Sequence, residues 1–289
     1  MVLWGARFSG GPTDAVFALS RSAHFDWRLA PYDIRSSLAH LSVLESSKLV
    51  AKQDAAAIRG ALKELAVEVS KGSFVAQADD EDVHSALERG LTAKLGAVGG
   101  ALRAGRSRND QVTTDLRLFA IDHMLEVAAL ITLLNTAILN KASEYVNDSA
   151  PGFTHIQHAQ PVSFGHELAK HAHAFGRDLD RINDWLKRTS VSSLGAGALA
   201  GSSLPLDPAR TARSLVLILA LLTALMPSVI VIMLPKRYSS AQRSVCTYLA
   251  LVKSGRYGHR QSLRGPRWQT STQLVHQSCP RRKIQTWQN

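Results

Sequence analysis

The chain has 289 residues, 45% of them apolar, which is enough for one large or two ordinary domains and excludes a low-complexity or disulfide-scaffold protein. Its net charge of +11 would suggest nucleic acid or an acidic membrane as partner, but the distribution removes that reading. Residues 214–289 hold eleven Lys and Arg and no Asp or Glu, leaving 23 basic residues against 23 acidic in the first 213. Both cysteines, Cys246 and Cys279, also lie after residue 213, so the body contains no cysteine-based metal site. The opening MVLWGARFSGGPTDA lacks the basic and then apolar pattern of an export signal, which predicts a cytoplasmic protein.

The body reads as all-α. PYDIRSSLAHLSVLESSKLV has apolar residues at helical spacing, and DAAAIRGALKELAVEVSKG predicts a helix with Asp54 as N-cap and a stop at Gly72. DEDVHSALERGLTAKLG predicts a third helix. After a Gly-rich turn, a run from about Asp110 to Tyr145 has no Gly or Pro and repeats apolar residues with helical period, a length that suits a helix bundle. NDSAPGFTHIQHAQPVSFG is read as a polar loop, followed by the helix HELAKHAHAFGRDLDRINDWLKRTS, which makes an antiparallel helical pair. No strand alternation is evident. Three divisions result: an N-terminal helical part over 1–105, the first long bundle helices over 106–213, and a basic tail over 214–289 without a fold of its own. Within that tail, SLVLILALLTALMPSVIVIMLP carries no charge and precedes Lys236 and Arg237, so at face value residues 214–234 form a membrane anchor.

Three stretches carry chemistry. AGRSRNDQV opens the long helix with Ser107, Arg108 and Asn109, where free N–H groups and the positive end of the helix dipole favour a carboxylate; a capped helix with solvated arginines explains the same residues. GFTHIQHAQP places Thr154 beside His155, either an acid–base group or a surface histidine. SAHFD offers Ser22 and Asp26, and DEDVH offers Asp82 and His84, all of which could be helix capping.

Taken together, LWGARFSGGPTD, FDWRLAPYDI, DEDVHSALERGL, AGRSRNDQVTTDLRL, PGFTHIQHAQPVSFGHELAKH and SSLGAGALAGSSLPLDP resemble, in order and spacing, the argininosuccinate lyase family of the aspartase and fumarase superfamily. The resemblance runs from about Leu3 to Ala212, with Ala6 in place of a usual glycine and Phe153 and His158 where Tyr and Arg are frequent. It implies a β-elimination that splits argininosuccinate into arginine and fumarate without a cofactor or metal, in a cytoplasmic homotetramer with neither nucleic acid nor membrane as partner. By the family pattern Ser22, Asn109 and Thr154 contact substrate with Ser107, Arg108, Asp82 and Asp26 nearby, and His155 is the acid–base histidine. Each family active site draws on three chains. Adenylosuccinate- and fumarate-acting relatives fit GRSRNDQV and PGFTHIQHAQP less well. A crystallin-like structural relative and the membrane-anchored reading stand as alternatives.

The family's other catalytic group is a serine in a GSSxMPxKxNP loop, which these 289 residues do not contain. The tail explains why. Written as codons, IMPQKKNPDMAE read one nucleotide late gives SCPRRKIQTWQ and then Asn, the last twelve residues of this chain. In the same shifted frame, CTYLALVK corresponds to MHLSRFGEE, TALMPSVIVIM to NSLDAVSDRDY and SLVLI to ELGFD. Residues from about Ser214 onward are therefore expected to be an out-of-frame translation of the family's C-terminal part, and the chain is expected to be inactive.

Overall fold

The structure, a computed structural model, describes residues 13–215 together with 217, 219 and 220. The helices are α1 (Asp14–Ser20), α2 (Ala23–Asp26), α3 (Ala30–Ser46), α4 (Lys52–Ser70), α5 (Val83–Leu95), α6 (Ala97–Gly100), α7 (Arg108–Glu144), α8 (Phe164–Thr189) and α9 (Pro208–Ser214). Strands β1 (Ser149–Thr154) and β2 (Gln157–Ser163) form an antiparallel hairpin, and Val191–Ser192 (β3) pairs in parallel with Leu219–Ala220 (β4). The described chain is thus helical, as expected, with one feature that differs from the expected loop: residues 149–163 pair as strands. The membrane-like segment 214–234 and the tail fall almost wholly outside the described residues.

Three helices build the first core. Leu41 and Leu44 of α3, Ile58, Leu62 and Leu65 of α4, and Val83, Leu87 and Leu91 of α5 lie in one buried cluster. Their spacing of three and four residues puts each set on a single helix face, which is why these segments become helices that pack on one another. Gly72 (φ 69°) and Gly96 (φ 58°) end α4 and α5 in backbone conformations that side chains other than glycine resist. The predicted Asp54 cap is displaced: α4 begins at Lys52 after Ala51, so Asp54 is an acidic residue of the first turn instead, where the helix dipole favours it. Leu118 of α7 joins Ala39, Leu194, Ala212, Leu215 and Leu217 in a second cluster.

Helices α7 and α8 run on as an antiparallel pair. Gly165 lies where a Cβ would collide with the Ala142 carbonyl, so glycine permits the close approach that the hairpin imposes. Phe175, Ile182 and Trp185 of α8 are buried, yet Leu130 and Leu133 of α7 are 65% and 68% exposed. By length and composition α7 would pass for a membrane span. Its first half instead buries Asp110, Asp115 and Arg117, which only a polar protein environment accommodates at acceptable cost.

Candidate functional site at the start of the long helix

Ser107 and Asp110 close a capping box on α7, in which Asp110 accepts from the Ser107 N–H and the Ser107 hydroxyl from the Asn109 N–H. Arg108 stands beside Asp82 and Glu88, with N···O distances of 3.5 Å to each, and donates to Gln111 Oε1 at 3.2 Å. Asp82 caps α5 by accepting from the Ser85 N–H at 2.7 Å, as its capping reading expects. Ser22 does not cap α2; its hydroxyl donates to Asp26 Oδ2 at 2.6 Å, while Asp26 Oδ1 accepts from the Val83 N–H at 3.2 Å. The Asn109 amide donates to the Ala198 carbonyl at 3.4 Å. Arg103, Arg106, Ser107 and Arg108 line a cavity of about 460 Å³ with the glycine loop 197–201. Glu88 lines the same cavity and lies 3.2 Å from Arg103 and 3.5 Å from Arg108, so two of the three guanidinium groups there already face a carboxylate.

Beneath it lies a polar core that the sequence reading did not assign. His84 Nδ1 lies 2.6 Å from Asp33 Oδ2 and 3.6 Å from Asp115, and all three are buried. Asp33 also accepts from Gln111 Nε2 at 2.9 Å and from the Ser37 hydroxyl at 2.9 Å. Burial would raise the Asp33 pKa, but the His84 charge and hydrogen bond hold it at about 2. Burial would likewise lower His84, and the Asp33 hydrogen bond and charge reverse that and raise it. Burial, then the neighbouring Asp33 charge, push Asp115 up to about 8. The result is an Asp33–His84 ion pair beside a protonated Asp115, with no net buried charge. These are also the described His and Asp residues whose ligand atoms cluster within 4.8 Å. A 2.6 Å N···O separation is a hydrogen bond, shorter than two ligands on one ion at about 2.0–2.2 Å each can adopt at ordinary coordination angles.

His40 adds a testable pH dependence. Its Nε2 lies 3.0 Å from the Ala104 carbonyl, and burial, followed by the Arg106 charge, lowers its pKa from 6.5 to about 4. The folded state therefore holds it neutral while the unfolded chain protonates it, so its contribution is complete above pH 6.5 and is lost as pH falls toward 4. At about 1.4 kcal/mol per pKa unit the loss is about 3 kcal/mol. Urea titrations at pH 7 and pH 4.5 are expected to show this drop in the parent and a clearly smaller one in His40→Gln.

Thr154 and His155 sit elsewhere. His155 and Ile156 form the two-residue turn between β1 and β2, with φ of 50° and 67°, and both are exposed. Two consecutive positive φ values suit Asn-Gly far better than a β-branched residue, so this turn is strained. Phe153 and His158, two of the three departures from the family pattern, face each other across the strands with ring centroids 5.0 Å apart. The hairpin is held at the far end of α7, where the Phe164 and Gly165 N–H groups donate to the Asp148 and Tyr145 carbonyls. The 37 residues of α7 span about 55 Å, and a six-residue strand reaches back about 20 Å at most. Within one chain, then, Ser22, Asp26, Asp82, Ser107, Arg108 and Asn109 gather at the start of α7, and the hairpin that carries Thr154 and His155 leaves from its far end.

The sequence model of the lyase family matches residues 7–231 of this helical body, and the chain belongs to that family. Its fold resembles the EDDS lyase crystallised with formate, at a TM-score of 0.62 and 25% identity, over 72% of this chain and 40% of that one. More particularly, the chain is 57% identical over 215 residues to the argininosuccinate lyase of Frankia casuarinae, covering 74% of this chain and 46% of the relative. It is 51% identical over 214 residues to that of Streptomyces coelicolor, covering 74% and 45%. The chain therefore matches less than half the length of these curated relatives.

Proposed function

We propose that residues 13–213 carry the substrate-binding half of an argininosuccinate lyase, the enzyme that eliminates fumarate from argininosuccinate to leave arginine. The observation that carries this is the 57% identity to an enzyme of that name, joined to the gathering of Ser22, Asp82, Arg108 and Asn109 at the start of α7. The reaction removes a proton next to a carboxylate, so negative charge builds on that group in the transition state. Fixed donors at that place lower the barrier because they need no reorganisation as the charge forms. Arg108 and the side-chain amide of Asn109 supply them. A proton must also reach the departing guanidino nitrogen, and His155, exposed on its turn, is the group assigned to acid–base work. Since the hairpin bearing His155 leaves from the end of α7 opposite to Asn109, the hairpin of a second chain brings His155 to the site in the family's homotetramer, an assembly the 289-residue chain itself is not expected to form.

The tail is, on this proposal, an out-of-frame reading of the family's remaining sequence, beginning near Arg213. A one-nucleotide shift alters residue identity and leaves residue spacing unchanged, so a family match that continues to residue 231 is compatible with it. Asp codons read one base late become Ile and Met, and Met codons become Cys or Trp, so the shift accounts for the apolar run at 214–234, the missing acids and both cysteines together. A membrane anchor accounts for the apolar run alone. The 289-residue chain lacks the loop serine and is expected to release no fumarate from argininosuccinate above the uncatalysed rate. Turnover by the purified chain would refute this.

A further inference from the structure

We infer that Asp110 is a positioning residue, whose buried carboxylate latches the loop Gly195–Ser202 onto the first turn of α7 and so sets the Asn109 amide and one wall of the arginine-lined cavity. This rests on the reading of Asn109 as a substrate contact. Helix capping alone requires one oxygen, and Asp110 Oδ1 meets it by accepting from the Ser107 N–H at 3.0 Å. The second oxygen, Oδ2, accepts from two loop N–H groups, Gly195 at 3.2 Å and Gly197 at 2.9 Å. The carboxylate is 2% exposed, so these contacts are sheltered from water.

The loop is built for this contact. Gly195 and Gly197 have φ of 104° and 61°, which turn alternate N–H groups toward one anion, as in a backbone nest. A Cβ on Gly195 would lie 2.5 Å from Pro208 Cγ, and one on Gly197 would lie 2.9 Å from the Gly201 carbonyl oxygen. The loop closes on itself through the Gly201 N–H, which donates to the Ala196 carbonyl at 2.7 Å. Ala198, whose carbonyl accepts from the Asn109 amide, follows directly on the latched Gly197. Gly197, Ala198 and Gly201 line the same cavity as Arg106 and Arg108. The latch thus fixes the wall facing the arginines.

Asp110→Asn separates the two roles, because an amide oxygen still caps Ser107 while the NH₂ group meets the Gly195 and Gly197 N–H groups donor against donor. In the 289-residue chain, hydrogen exchange at the Gly195 and Gly197 amides is expected to speed up about tenfold or more in Asp110→Asn, with α4 amides unchanged. Equal loop rates in the two proteins would overturn the latch, and so would an equal acceleration in α4, which marks a general core role. Should Asp110→Asn fail to fold, the parent chain decides: the latch requires Gly195 and Gly197 amides as protected as those of α7, and unprotected amides overturn it. Fumarate titration, followed through the Asn109 side-chain amide signals, is expected to shift them in the parent and several-fold less in the variant. Equal shifts in both overturn the setting of Asn109 by the latch. A parent chain with no fumarate-induced shift overturns fumarate binding at Asn109 by the 289-residue chain alone, while the exchange rates still decide the latch.

Discussion

Asp33→Ala is expected to destabilise the described body by about 3–5 kcal/mol, the usual effect of removing one member of a buried ion pair. The residue is 2% exposed and accepts from His84, Gln111 and Ser37 at once. Its removal leaves a buried histidine without its hydrogen-bonded carboxylate, next to the buried Asp115. Gln111, which bridges Asp33 and Arg108, also loses its anchor, so the arginine-lined cavity should loosen as the core weakens. Urea unfolding followed by circular dichroism measures this directly. A change under 1 kcal/mol would show that the Asp33–His84 pair contributes little. Asp115→Asn is the contrasting variant: it retains the neutral, protonated-like shape and is expected to change stability far less at neutral pH.

The second large effect concerns His155. In a chain whose reading frame is restored after Arg213, His155→Asn is expected to lower kcat by about 10²–10⁴, the range for loss of a general acid or base. Asn109→Ala in the same background is expected to raise KM as well, since Asn109 is proposed to contact substrate. Because the hairpin bearing His155 leaves from the end of α7 opposite to Asn109, a mixture of these two inactive variants should regain part of the parent activity through mixed oligomers. Failure of mixing to restore any activity would argue that His155 and Asn109 do not serve one site across chains.

Most of the helical body was legible because its apolar residues recur at three and four, as with Leu41 and Leu44 or Leu87 and Leu91. The hairpin was not. Its strands are exposed on both faces in most positions, so Ser149–Thr154 shows no period of two, and Pro151 and Pro161 read as loop residues. Its turn, His155-Ile156, has none of the Asn or Gly that normally announces two positive φ values. For the site, the family resemblance pointed to Asp82, Ser107, Arg108 and Asn109, and the structure places Arg108 beside Asp82 at the start of α7. Asp33, Asp115, Asp110 and Gln111 went unassigned because the sequence reading followed motifs rather than charges on core faces. The signal existed: Asp33 shares a helix face with Ser37, Leu41 and Leu44, and Asp115 is three residues from Leu118 on the buried side of α7. Ser22 and Asp26 could not be separated from capping without knowing that residues 81–83 pack against them.

The most direct measurement compares fumarate release from argininosuccinate by two purified proteins, the 289-residue chain and the product of the same gene with one nucleotide restored after the Arg213 codon. The account predicts no turnover by the first and ordinary lyase turnover by the second. Turnover by the 289-residue chain, or none by the restored one, would contradict it.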